Sequence, residues 1–190
     1  MAHSPEGERT VRDNTDGFER WRRETRDALR AATSARIDIY VRSLLPPPGA
    51  KEAQNETLAR LRETVDDGPI SDLSVHVWGE RLCLCETCLD TEVGRNWLDT
   101  VRAFERWGDD YDASVGPYFE HTSLTASVTE RTYRGVVPPR FTAALYVDGS
   151  LQGVFPTRFE GSAYTVRDFA ATISRIARPE LVSDAADPSG

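Results

Sequence analysis

Hydrophobic and polar positions recur along this chain with two periods, and each change of period marks a new element. Over residues 16–32, Phe18, Trp21, Ala28, Leu29 and Ala32 fall on one face of a helix. Residues 36–43 switch to period two. Ile37, Ile39 and Val41 alternate with Asp38, Tyr40 and Arg42, as in a half-buried strand. Pro46, Pro47, Pro48 and Gly49 must end that strand, because proline offers no amide donor. Helical spacing returns over residues 51–65, with Ala53, Leu58, Leu61 and Val65 inward, until Gly68 and Pro69 break it. Residues 72–79 alternate again, setting Leu73, Val75 and Val77 against Ser74, His76 and Trp78. Strand, helix and strand in so short a span predict a βαβ unit, whose parallel strands need such a crossover.

The second half is patterned less evenly. Residues 90–108 predict a helix with Val93, Trp97, Val101 and Phe104 on one stripe and Asp90 as N-cap. Residues 109–135 keep no clear period, although 118–125 suit a short strand. Residues 141–147 and 151–155 predict a hairpin around Asp148-Gly149. Residues 165–177 close the pattern as a helix with Val166, Phe169, Ile173 and Ile176 inward. The order predicts an α/β (or α+β) fold. It is a mixed sheet of four or five strands with about four helices on one or both faces. At 190 residues one domain is expected, over residues 14–178, between flexible tails at 1–13 and 179–190. The apolar face of the helix at 16–32 needs a surface to cover it, either in its own domain or on another chain.

Charge narrows the setting. The chain has 31 acidic and 23 basic residues, a net charge of −8. Lys51 is the only lysine; the other basic residues are arginine. Excess carboxylate keeps a surface hydrated where salt screens charge within about 3 Å. Arginine keeps its charge and its bidentate geometry. The combination resembles proteins of halophilic archaea, with an acidic surface; a GC-rich genome would explain the arginines but not the acidic excess. Residues 1–16 lack an apolar leader core, and no stretch reaches the ~20 apolar residues of a span, so a cytoplasmic location is expected. A reducing compartment makes structural disulfides unexpected.

The candidate chemistry lies in Cys83, Cys85 and Cys88. Three roles are open to them. They could be small side chains on a loop. They could be metal ligands, with His76 or His121 as a fourth and zinc as the candidate ion. They could be a redox pair, with Cys85 attacking and Cys88 resolving, or the reverse. His76 sits at the polar parity of its strand and reads as an exposed or half-buried packing side chain. Nothing in the spacing supports a hydrolase built from Cys88, His121 and Asp90. Trp21 and Trp97 lie on core stripes, whereas Trp78 and Trp107 are candidates for exposure. Arg20, Arg23 and Arg30 on the first helix are candidate contacts for nucleic acid or a partner, although Glu19, Glu24 and Asp27 can pair locally. In molar salt counterion release adds little affinity, so a net −8 counts only weakly against DNA.

Two resemblances follow from these segments. Residues 39–43, the proline-glycine loop, the helix through Leu58 and Leu61, residues 75–79, residues 146–156 and Tyr164-Thr165-Val166 resemble a group of small haloarchaeal proteins. Its members are mostly uncharacterised and often carry a helix-turn-helix label. The resemblance spans residues 36–170 and implies a regulatory role with DNA, another protein or a second copy of the chain as partner. The pattern itself shows no pair of short helices joined by a tight turn with a basic second helix, as that motif requires. Residues 72–177 are similar in element order to thioredoxin-like proteins: a strand, the pair Cys85-Glu86-Thr87-Cys88, a helix, then Val137-Pro138-Pro139 before a strand, hairpin and helix. That likeness implies redox chemistry at Cys85 and Cys88, with Pro138 or Pro139 in cis beside them. The departures are a longer loop before the pair, no aromatic before Cys85, and the extra Cys83. The reading reached is a non-enzymatic regulatory or interaction module, with thiol redox or metal chemistry as the alternative.

Overall fold

The computed structural model describes residues 17–45, 47–66, 69–125 and 132–177. The expected tails lie outside these residues. In chain order come α1 (Gly17–Ala31), β1 (Ala35–Val41), α2 (Ala50–Asp66) and β2 (Asp72–Val77). Then follow β3 (Leu82–Cys83), α3 (Glu86–Leu89), α4 (Glu92–Asp110) and β4 (Ala113–Ser114). After a 3-10 turn at Gly116–Tyr118 come β5 (Glu120–Thr125), β6 (Thr132–Val137), β7 (Phe141–Val147) and β8 (Ser150–Phe155). The described fold ends with β9 (Thr157–Phe159), β10 (Ser162–Tyr164) and α5 (Val166–Ile176).

The main sheet has four strands in the order β2-β1-β7-β8. The βαβ expectation holds: β1 and β2 are parallel, Ile37 against Leu73 and Val41 against Val77, joined through α2. The β7–β8 hairpin turns at Asp148 and Gly149, both with positive φ (47° and 80°). That is the primed turn whose twist matches its strands. A second such turn, at Glu160 and Gly161, joins β9 to β10, a hairpin the sequence pattern did not reveal. Two three-stranded sheets, β10-β9-β4 and β3-β6-β5, complete the fold. The mixed α and β architecture is the one expected.

Period-two reading placed Asp38 and Tyr40 on a polar face, and there the structure differs. Tyr40 packs edge-on against Phe104 and Trp97 of α4, so helices cover both faces of β1. Asp38 is buried too, with Arg36 at 3.3 Å answering its charge. The reverse happens on β2. It is the sheet edge, and its apolar Val75 and Val77 are exposed. Trp78 and Trp107 are core residues, not surface ones. Trp21 is fully buried against Phe155 and Phe169, and its indole N–H donates to the Gln152 carbonyl at 2.7 Å. This places the apolar face of α1 in cis.

Candidate cysteine site

Cys83 ends β3, Cys85 precedes α3, and Cys88 lies within α3. Their half-buried thiols converge, with all three sulfur atoms within 4.8 Å of one another. Local geometry explains this. Side chains two apart along extended chain share a side, and those three apart on a helical turn share a face. The spacing C-x-C-x-x-C therefore folds all three sulfurs together as strand passes into helix. Cys83 Sγ donates to Cys85 Sγ at 3.1 Å, and the Cys85 amide points at Cys83 Sγ at 3.4 Å. The Cys83 thiol, with the Cys88 amide behind it, holds Cys85 below the ordinary thiol range. Cys88 is pushed up to about 12, because its hydrogen bonds with Cys85 and Cys83 keep its proton in place.

The helix expected over 90–108 is present as α4, and a separate four-residue helix, α3, precedes it in the cysteine loop. Thr91, not Asp90, caps α4: its Oγ1 accepts from the Gly94 amide at 3.0 Å and donates to the Cys88 carbonyl at 2.6 Å. The two-residue link Asp90-Thr91 thus joins α3 to α4 through a tight turn. A hydroxyl that satisfies orphan amides is the usual helix start, and the threonine beside Asp90 was the missed signal. α4 buries Val101, Phe104 and Trp107 and leaves Arg95, Asn96, Arg102 and Arg106 outward. It carries more acids than arginines, so it is not a basic helix.

Beside the sulfurs is a cavity of about 590 Å³. Trp78, Leu82, Trp97, Val101 and Val136 supply apolar walls, Cys83 and Cys88 line it, and Arg81, Arg102, Glu105 and His121 add charge or polarity. The Trp78 indole N–H is buried without a hydrogen-bond partner among the described residues. Non-local pairing builds this space. Leu82 opposes Val136, and Val136 opposes His121. His121 is therefore two strand spacings, roughly 10 Å, from Leu82. It shares the cavity but does not join the set of converging ligand atoms.

His76 is not brought to the thiols. It stacks on Tyr40 at 5.0 Å and lies 3.9 Å from Asp38, above a separate hollow lined by Val93, Asn96 and Trp97. Burial raises the Tyr40 phenol far above its ordinary value. The cis bond in the described residues is Phe155–Pro156, not Pro138 or Pro139. Cys85 caps and Cys88 lies within a four-residue helix, so the pair does not open the long one, and two expected features of the thioredoxin-like order are not met. Of the α1 arginines, Arg20 reaches Asp112 at 3.5 Å, while Arg23 and Arg30 lie on the exposed side.

A family described as a helix-turn-helix domain matches residues 29–178. No curated protein and no solved structure matches the chain. No helix among the described residues is long and apolar enough to cross a membrane.

Proposed function

Because the chain belongs to the helix-turn-helix domain family, we propose that it is a non-enzymatic regulatory module acting in transcription control. The family match over residues 29–178 is the observation that carries this reading. The α3–Asp90-Thr91–α4 turn supports it, since the outward residues Arg95, Asn96, Arg102 and Arg106 are of the kinds that contact phosphate and base edges. DNA is the proposed partner, with a second copy of the chain filling a paired half-site. The acidic, lysine-poor composition favours a halophilic archaeon and its salty cytoplasm as the setting. There, base contacts must outweigh bulk positive charge. Chromatin immunoprecipitation of the tagged full chain tests this. Discrete chromosomal sites are expected, lost on Arg95→Ala with Asn96→Ala. Enrichment of no site would refute it.

A second reading, thiol or metal chemistry, is favoured by the convergence of the three sulfurs. In its redox form Cys85 is the attacking thiolate and Cys88 the resolving thiol, as their opposed shifts suggest. Alkylation rates followed against pH check it. Cys85 should react below the pH at which an ordinary thiol does, and equal, unshifted titration of both thiols would count against it.

A further inference from the structure

The geometry points to Cys83, Cys85 and Cys88 as a trithiolate site for a thiophilic ion that takes three ligands, of the trivalent arsenic or antimony class. The inference rests on the metal form of the second reading and names its ion. Three sulfurs no more than 4.8 Å apart share a centre about 2.8 Å or less from each. Small side-chain rotations bring that to the ~2.3 Å of a metal–thiolate bond. Soft thiolates select soft ions, which sets aside magnesium and calcium. Structural zinc wants four protein ligands. Among the described residues no imidazole or carboxylate joins the three sulfurs, and His121 is held away by the strand β6 between it and β3.

The surroundings fit the same ion. A three-coordinate trivalent centre carries a lone pair on its fourth side and needs space there without a donor. Cys83 and Cys88 border the 590 Å³ cavity with its Trp78, Leu82 and Trp97 walls. Exchange is balanced without an oxidant. Arsenite enters as the trihydroxide, three As–S bonds replace three As–O bonds, and the three thiol protons leave with the hydroxides as three waters. Two of the three ligands flank or lie within α3, and the Cys88 carbonyl receives the Thr91 hydroxyl at the start of α4. A bound ion therefore fixes the turn on which α4 is set.

The test uses the reduced full chain in high salt, titrated with arsenite and, separately, with zinc. Free-thiol assay and X-ray absorption at the arsenic or zinc edge are the readouts. One arsenite should protect all three thiols, with three sulfur neighbours. Each of Cys83→Ser, Cys85→Ser and Cys88→Ser should weaken binding by more than about 10-fold, the lower scale for loss of even an outer-shell partner. His121→Ala should bind as the parent does and controls for the cavity wall; melting curves show which variants fold. Protection of two thiols or fewer in the parent would overturn the inference. Stoichiometric zinc with a fourth ligand, weakened by His121→Ala, would overturn the three-coordinate assignment while leaving a metal centre. Binding of neither ion would sink the metal form of the reading, and none of these outcomes bears on DNA binding.

Discussion

Gly94 packs against the Cys88 carbonyl at the start of α4, and Gly94→Ala tests that contact. A Cβ placed there overlaps the Cys88 carbonyl oxygen, sits 2.8 Å from its carbon and 3.1 Å from Thr91 Oγ1. Ordinary contact starts near 3.4 Å, so the methyl group cannot be absorbed by a side-chain rotation. Backbone must move. The Cys88 carbonyl is tied by the Thr91 hydroxyl at 2.6 Å and the Thr91 amide at 3.2 Å. Losing two hydrogen bonds at ~0.5–1.5 kcal/mol each comes to about 1–3 kcal/mol, the same range as overpacking in general. For a domain of this size each kcal/mol is worth about 2–4 °C in Tm, so the variant should melt about 2–12 °C lower. Thr91→Val, which loses the cap, should cost about 1 kcal/mol. The double variant should cost less than the two together, because both break the same bonds. Thermal unfolding in high salt, followed by circular dichroism, reads all three. A Gly94→Ala protein melting with the parent, or full additivity with Thr91→Val, would refute the packing of α3 against α4 described above.

Four further outcomes are expected. Gly153→Ala should destabilise by about 1–3 kcal/mol, since its Cβ would meet the buried Trp21 ring at 3.0–3.3 Å where the indole is pinned to Gln152; chemical denaturation measures it. Ile39→Ala, fully buried in β1, should cost about 2–5 kcal/mol, whereas Val75→Lys on the exposed edge of β2 should stay within about 0.5 kcal/mol in the same assay. Asp148 is held below the ordinary carboxylate range, chiefly by the Thr33 hydroxyl and the Ser34 amide. Its contribution is present above the unfolded carboxylate value and disappears as pH falls through the lower folded one. The Tm gap between parent and Asp148→Asn should therefore close on acidification. Thr165→Ala should cost about 1 kcal/mol, because it removes the α5 capping box with Asp168, read by the same melting curves.

Much of the architecture is legible in the chain itself, because it is local. Ile37, Ile39 and Val41 announce a strand by their period, and Asp148-Gly149 announces a primed turn by its tolerance of positive φ. What could not be read is what depends on residues far apart. Burial of Tyr40 required α4 to lie across the second face of the sheet. Val75 and Val77 are exposed on β2, the edge of the main sheet among the described residues. His76 and His121 looked alike as candidate ligands; pairing of β5 with β6, and of β6 with β3, set His121 beside the cavity but a strand too far from the sulfurs. Period and turn chemistry act over a few residues and are written in the chain. Which strand becomes an edge, and which imidazole approaches which thiol, is decided by how the sheets assemble, because only there do distant segments compete for the same space.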